Sequence, residues 1–234
     1  MQLLPISSRA LLLCGLLALP ACSSTVTGQV QVTATRSRRL SDIAVWLEPV
    51  DAPPKPSQPE HVRLLQKGKA FHPHVLVVRT GTIVDFPNAD PIFHNAFSTY
   101  DGQLFDVGLY PPGTNRSIHF RRPGVVRVFC NIHPSMSAVI VVVDTPYYTT
   151  ASDTGEYRFT GVPDGSYRLN VYDERAKGGP LPSTPLEIEN GRSAVTAPVI
   201  RISEAGFVRG PHKNKFGLDY PPGSDSPTYD GEPK

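Results

Sequence analysis

Three side chains that suit a soft metal ion, Cys130, His133 and Met136, lie within one short turn of the sequence. They occur in the stretch FCNIHPSM, and the apolar run AVIVVV that follows it predicts a β-strand. A thiolate, an imidazole and a thioether together form a donor set for copper. The chain has 2 methionines, one of them its first residue, so composition alone does not explain a thioether beside this thiol. The sequence therefore predicts a metal site in this turn.

A mononuclear copper site that exchanges electrons uses a thiolate, two imidazoles and usually a weak axial thioether. One imidazole must come from another part of the chain, and His94 in the stretch DPIFHNAFS is the leading candidate. Closure of a β-sandwich would place this stretch beside the Cys130 turn. Asn95 is then placed to hydrogen-bond that turn and hold it in position. The predicted site has His94, Cys130, His133 and Met136 as metal ligands, with Asn95 as their support.

Other interpretations of these residues remain open at this point. Cysteine and histidine also suit zinc, although zinc sites seldom use methionine. Cys130 could instead be a small core residue, His133 a surface residue of a turn and Met136 a gap filler. His72 and His74 are close enough in sequence to form a second metal site, although the alternation of the next strand also explains their positions. His61, His119 and His212 have no convergent partners in the sequence, and this predicts surface positions.

The rest of the chain predicts β-structure. Its 234 residues include 25 prolines and 19 glycines, a composition that suits strands joined by turns. No long stretch has the period of a helix, whereas short alternating apolar stretches recur between turn residues. The formal net charge of +2 at pH 7 gives no general signal for nucleic acid or for an acidic membrane. We therefore expect an all-β protein that binds no nucleic acid.

The first residues, MQLLPISSRALLLCGLLALPAC, predict a signal peptide over residues 1–22. Their apolar run is too short to span a bilayer comfortably. The tetrad LPAC resembles a bacterial lipobox, in which Cys22 would become the lipid-modified first residue of the mature protein. Pro20 is unusual at its position, so ordinary cleavage before Cys22 remains open. We expect a periplasmic protein, for which a lipid on Cys22 would be the only link to the membrane.

Export has a consequence for the thiol of Cys130. Removal of the signal peptide would take Cys14 with it, and lipidation would block Cys22. A lone thiol in an oxidising compartment has no internal disulfide partner and is open to oxidation. Metal ligation would protect it, which agrees with the predicted copper site.

Turn signals and alternation divide the chain into four parts. After the signal peptide, eight or nine short strands over 25–145 predict an antiparallel sandwich or barrel. A smaller sandwich follows over 146–203, in which DTGEYRFTGVPDGSYRLNVY predicts a β-hairpin. This unit is too small to be stable alone, so we expect it to pack on the first. Residues 204–234 are polar and rich in Pro and Gly, and this composition predicts a disordered tail.

The residues from about Phe71 to Asp144 resemble the cupredoxins, in particular the plastocyanin and amicyanin group. VVRTGTIVDFPNADPIFHN is similar to the family's strand, glycine turn, strand and first histidine ligand. FCNIHPSM has a Cys-x2-His-x2-Met spacing similar to the short ligand loop of amicyanin. The resemblance implies a cupredoxin-like Greek-key β-sandwich with one mononuclear type 1 (blue) copper centre. His94, Cys130 and His133 would be the equatorial ligands and Met136 the axial one.

The second unit resembles a transthyretin-like or carboxypeptidase regulatory-like β-sandwich through its pattern of Gly, Tyr and Val-Pro. It holds no catalytic constellation, so no enzyme activity is expected. The longer chain resembles bacterial envelope proteins labelled as methylamine utilisation or plastocyanin-like proteins.

These resemblances imply a monomeric one-electron carrier with a redox partner protein in the cell envelope. The outward edge of His133, beside Pro134, is the predicted electron port. The alternative is a copper-binding or copper-handling scaffold without an electron-transfer role. An oxidase would need further copper centres, and FHPH is the only near match in the sequence to their paired histidines.

Overall fold

A computed structural model describes residues 23–33, 40–51, 58–99, 102–189, 193–208, 210–222 and 224. The predicted signal peptide over 1–22, with the lipidation candidate Cys22, lies outside these residues. In the described part, no helix has both the length and the apolar character that a bilayer crossing requires.

Eighteen strands and one 3-10 helix, Leu40–Asp42, form the regular structure of the described residues. The strands in chain order are β1 Ser23–Thr33, β2 Ala44–Pro49, β3 His61–Arg63, β4 Leu65–Gln66, β5 Phe71–His72, β6 Val75–Arg79, β7 Ile83–Pro87, β8 Phe97–Ser98, β9 Phe105–Asp106, β10 Asn115–His119, β11 Gly124–Phe129, β12 Ser137–Val143, β13 Tyr148–Thr150, β14 Glu156–Pro163, β15 Gly165–Tyr172, β16 Thr184–Ile188, β17 Ala194–Thr196 and β18 Ile200–Ser203. The prediction of an all-β protein is confirmed.

The first unit, β3 to β12, encloses one apolar core between two main sheets. One sheet has the order β6-β12-β11-β8-β9 and the other β10-β7-β3, with β4 and β5 as a short ribbon. Alternation explains how the strands face this core: in β11, Val126 and Val128 are fully buried while Arg127 between them is exposed. The metal-ligand candidates Cys130 and Met136 belong to the same buried cluster.

The second unit is also built from two sheets. The order β14-β1-β17, with β18 on β1, forms one sheet, and β13-β2-β15-β16 forms the other. Strands β14 and β15 were predicted to form a hairpin, and this prediction is wrong because they lie in different sheets. Tyr157 and Phe159 of β14 face Tyr167 and Leu169 of β15 across the core. The alternation of buried and exposed side chains is as predicted, but the turn at Gly165 connects a strand of one sheet to a strand of the other instead of closing a hairpin.

The boundary between the units differs from the predicted one at residue 145. Strands β1 and β2, predicted as part of the first sandwich, pair with β14 and β15 of the second. Their apolar side chains, including Val26 and Leu47, lie in the core of the second unit. Period-two alternation predicts that a stretch is a strand but does not say which sheet it joins, because pairing is decided by contacts distant in sequence.

Strand β12 joins the two units because both of its faces are buried. Ile140 and Val142 point into the core of the first unit. Val139, Val141 and Val143 pack in a separate cluster whose members include Ala44 of β2. A strand covered on both sides needs a continuous apolar run rather than an alternating one, which explains the sequence AVIVVV.

Residues 210–222, here called the strap, run along the first unit at the end that holds the candidate metal site. Tyr220 and His212 of the strap hydrogen-bond residues of the Cys130 turn. The predicted disordered tail over 204–234 therefore does not describe the strap. The low hydrophobicity of the strap predicts disorder, but its polar groups make specific hydrogen bonds with the Cys130 turn.

Candidate metal site

The ligand loop connects β11 to β12 and runs from Cys130 to Met136. The Cys130 N–H donates to the Met136 carbonyl at 3.1 Å, and the Met136 N–H donates to the His133 carbonyl at 3.1 Å. These bonds close the loop on itself, so that side chains three positions apart can converge. Cys130 and Met136 are 0% and 1% exposed.

His94 reaches the site from a separate turn that follows β7. Asn88 shapes this turn, since its Oδ1 accepts from Asp90 N–H at 3.0 Å and its Nδ2 donates to the Ile92 carbonyl at 2.8 Å. His94 and Tyr110 then exchange two backbone hydrogen bonds, of 3.2 and 2.9 Å. The bridge holds the backbone of His94 in place and leaves its ring inside the protein, where it is 0% exposed.

Three potential donors converge between the two segments. Cys130 Sγ lies 3.9 Å from His94 Nδ1 and 3.6 Å from His133 Nδ1. Two ligand atoms bonded to one first-row ion at about 2.0–2.3 Å, with trigonal or tetrahedral angles, are about 3.3–4.0 Å apart. The His94 and His133 rings meet edge to face with centroids 4.9 Å apart, and all three donor atoms lie within 4.8 Å of one another. This spacing fits a single metal ion, and the soft sulfur donor suits copper or zinc.

Asp90 orients His94, and the sequence interpretation missed it. His94 Nε2 lies 2.7 Å from Asp90 Oδ2, and both side chains are almost fully buried. The carboxylate also accepts from the N–H groups of Gly68 and Lys69 at 2.6 and 2.9 Å. An imidazole that donates Nε2–H to a carboxylate presents Nδ1 as a lone-pair donor. The sequence offered one hint of this role, because Asp90 precedes His94 by four positions.

Burial and the Asp90 carboxylate shift the pKa of His94 in opposite directions. Burial lowers the pKa of His94, while the hydrogen bond and the charge of Asp90 raise it, and burial dominates. The ring is therefore neutral at ordinary pH, which is the form that binds metal. The thiol of Cys130 has a pKa raised by burial, opposed by backbone hydrogen bonds from Ile132, Asn95 and His133.

Asn95 connects the two segments that carry the donors. Its Oδ1 accepts from the Asn131 N–H at 3.3 Å, and its Nδ2 donates to Asp106 Oδ1 at 2.7 Å and to the Gly108 carbonyl at 3.0 Å. Gln66 donates to the Asn95 carbonyl at 3.0 Å. The amide thus lies between the His94 turn, the Cys130 loop and β9, and it limits movement of the loop relative to His94.

The remaining histidine candidates do not converge. His72 Nε2 lies 3.1 Å from the Lys67 carbonyl. His74 instead lies against Glu174 of the second unit, with 2.7 Å between Nε2 and Oε1 in a half-buried contact. In the described residues, the group of His94, Cys130 and His133 is the only set of three potential donors at metal-binding spacing among His, Cys, Asp and Glu side chains.

The predicted electron port, the His133 edge beside Pro134, is mostly buried. His133 is 7% exposed and Pro134 is buried. The strap accounts for part of this cover, because His212 N–H lies 3.3 Å from the Pro134 carbonyl. Electron transfer through the His133 edge stays a prediction.

Comparisons with known proteins find similarity over part of the chain. No protein-family model matches it. A curated relative, the methylamine utilization protein MauL of Methylorubrum extorquens, is 36% identical over 75 residues. The match covers 32% of this chain and 60% of that protein, so the chain spans less than two thirds of the relative's length.

Several solved structures share part of the fold. The copper-containing nitrite reductase of Thermus scotoductus is 29% identical over 41% of this chain and 25% of its own, with a TM-score of 0.35. A purple cupredoxin from Nitrosopumilus maritimus is 24% identical over 36% of this chain and 98% of its own, with a TM-score of 0.32. A Cu(I) amicyanin variant is 18% identical over 35% of this chain and 81% of its own, with a TM-score of 0.34. Because these TM-scores are low, the metal chemistry rests on the geometry of the chain itself.

Proposed function

We propose that this protein, whose first unit is a cupredoxin-like sandwich, binds one copper ion in a type 1 centre and carries single electrons. The observation that carries the proposal is the convergence of the two imidazole Nδ1 atoms on the Cys130 sulfur in a buried pocket. His94, Cys130 and His133 would hold the ion, with Met136 as the weak axial ligand. Bound copper supplies a one-electron couple at this position.

The supporting residues favour electron transfer because they limit rearrangement. Asp90 holds the His94 ring through Nε2, and Asn95 ties the Cys130 loop to the His94 turn. Donors that stay in place in both oxidation states keep the reorganisation of the site small. Hydrogen bonds to the Cys130 sulfur reduce its electron density, so they favour the reduced ion and raise the potential.

The proposal extends to location and partners. A periplasmic location, cleavage of residues 1–22 with a lipid on Cys22, a monomeric state and a redox partner protein in the envelope are its further parts. The free, buried thiol of Cys130, which metal ligation would protect in an oxidising compartment, supports an exported copper protein.

The proposal is tested by expression of the chain from Ser23 with Cu(II), followed by optical and paramagnetic spectra. We expect intense visible absorption from sulfur-to-copper charge transfer, with one copper per chain. Cys130→Ser should lose this absorption completely, and His133→Gln should lose most of it. His61→Gln is the matched control, because His61 is an exposed histidine paired with Asp85. A colourless protein that binds no copper contradicts the proposal.

One observation favours a second candidate, a copper-handling protein without an electron-transfer role. The three donors are at most 7% exposed, which suits retention of an ion better than contact with a partner. Voltammetry separates the two candidates. A reversible one-electron couple supports the carrier, whereas tight Cu(I) binding without a reversible couple supports copper handling.

A further inference from the structure

The strap, residues 210–222, makes three hydrogen bonds with the ligand loop. The Tyr220 hydroxyl donates to the Cys130 carbonyl at 2.7 Å. The Lys215 N–H donates to Asn131 Oδ1 at 2.9 Å, and the third bond joins His212 N–H to the Pro134 carbonyl. The strap therefore contacts the loop on both sides of His133.

Further contacts attach the strap to the first unit. The His212 ring packs on Phe129, the last residue of β11, with centroids 4.4 Å apart and planes inclined by 33°. The sequence predicted His212 as a surface residue, but its ring lies between Phe129 and the strap's own Tyr220, at 5.3 Å from the latter. Lys215 Nζ lies 2.6 Å from Asp106 Oδ2 on β9. The strap is thus held to β11 and β9 as well as to the ligand loop.

The strap also has internal order. Asn214 Oδ1 accepts from the N–H groups of Phe216 and Leu218 at 2.9 and 3.0 Å, and Asn214 N–H donates to the Leu218 carbonyl at 2.9 Å. These bonds form a tight turn between Lys213 and Asp219. A segment that is already turned loses less conformational entropy when it packs, so few contacts suffice to hold it.

We propose that the strap is an intramolecular cap, which shields the Cys130 thiol and the His133 edge from reagents and redox partners. Its hydrogen bonds use the carbonyls of Cys130 and Pro134 and the side chain of Asn131, none of which is a metal-donor atom. The cap can therefore open without breaking a metal bond. The effect on electron exchange rests on the proposed function, whereas the shielding of the thiol applies to the metal-free protein as well.

The first test measures alkylation of Cys130 by iodoacetamide in the metal-free protein, from the mass of the peptide that contains it. A chain ending at Val208 lacks the strap, and a chain ending at Pro222 keeps it and is the matched control. Loss of three hydrogen bonds should speed alkylation by about 10-fold or more in the shorter chain, while the control matches the full chain. Equal rates in all three folded chains overturn the cap.

Tyr220→Phe in the full chain tests the same contact without truncation. It keeps the aromatic ring beside His212 and removes only the hydroxyl that holds the Cys130 carbonyl. We expect alkylation about 2- to 10-fold faster, which is the effect of one hydrogen bond. A rate equal to that of the unmodified protein contradicts the role of Tyr220 in the cap.

The second test uses the copper-loaded chains after reduction to Cu(I), with hexacyanoferrate(III) as a small outer-sphere one-electron oxidant. Stopped-flow oxidation should be faster in the chain ending at Val208 than in the chain ending at Pro222, with the same visible spectrum. Slower oxidation without the strap contradicts the cap, because the strap would then assist electron transfer from the copper site instead of shielding that site. Colourless protein from every chain contradicts the proposed copper function, and the alkylation rates then decide the cap alone.

Discussion

The two sandwiches of this protein bury different kinds of side chain. At the metal end of the first unit Asn88, Asp90, His94, Asn95 and His133 are all at most 7% exposed. The second unit also buries Ser24, Asp173 and Glu204, but they lie around a core of aliphatic and aromatic side chains, and within the described residues it holds no comparable group of metal donors. Burial of a polar group costs free energy unless the group is hydrogen-bonded, so the concentration of buried polar groups at one end of the first unit indicates a functional site.

The contrast also separates what each unit contributes. In the first unit the buried polar residues hydrogen-bond one another in series: the Asp90 N–H donates to Asn88 Oδ1, and the Asp90 carboxylate bonds His94 Nε2. The second unit covers the outer face of β12 and contributes the Glu174 carboxylate to His74. We infer that the second unit stabilises the fold, while the metal chemistry belongs to the first.

The largest expected effects come from substitutions that create a comparable cavity in each of the two cores. Leu169→Ala in the second unit and Ile140→Ala in the first each remove a side chain that is at most 1% exposed. Each should lower the free energy of unfolding by about 2–5 kcal/mol, measured by urea denaturation. Leu169→Ala should leave the copper spectrum of the folded protein unchanged. A changed spectrum would mean that the second unit shapes the metal site, and the contrast between the units would fail.

A smaller effect is expected from Asp90→Asn, which replaces the carboxylate behind His94 by an amide. Copper affinity should fall by about 10- to 100-fold, because the ring loses the partner that orients it. Asp85→Asn is the matched control, since Asp85 pairs with His61 at 2.9 Å on an exposed sheet face. Competition with a copper chelator measures both variants. Equal losses in the two would show that Asp90 has no specific role.

The smallest expected effect concerns Asp106, which anchors the strap. Burial raises the pKa of Asp106, but hydrogen bonds from Lys215, Gly108 and Asn95 outweigh it and lower the pKa below its usual value. The folded state therefore favours the carboxylate. Its stabilisation is complete above the unfolded pKa of about 3.9 and is lost as pH falls through the lower folded pKa.

Urea unfolding of Asp106→Asn measures this contribution. At pH 7 the unmodified protein should be more stable by only about 0.2–1 kcal/mol, because the pair is partly exposed to solvent. The difference should shrink below pH 4. Glu48→Gln, on the exposed ion pair with Arg168 in the second unit, is the control and should change little. A difference that persists in strong acid would contradict the assignment to the carboxylate.

The sequence predicted the parts of the site that are close together along the chain. Cys130, His133 and Met136 share one loop, so their donor types and spacing were visible without a fold. His94 was a harder inference, since it lies 36 positions from Cys130, yet the structure brings their donor atoms to 3.9 Å. Asp90 was missed because a carboxylate in a turn is usually solvated, and only burial turns it into a partner for His94.

Errors in the fold prediction share one cause. Strands β1, β14 and β15 were recognised by alternation, but their sheets were assigned wrongly, because a turn such as that at Gly165 can close a hairpin or cross between sheets. The composition of the strap predicts disorder, although the Tyr220 hydroxyl hydrogen-bonds the Cys130 carbonyl 90 positions away.

The sequence by itself determined the all-β character, the soft donor set of one loop and the continuous apolar run of β12. These features follow from spacing and period over a few residues, which backbone geometry converts directly into a face or a turn. Only the tertiary structure decided that β1 and β2 belong to the second unit, that Asp90 orients His94 and that the strap lies over the ligand loop. Each of these depends on pairing between distant segments, where many partners are compatible with the same local pattern.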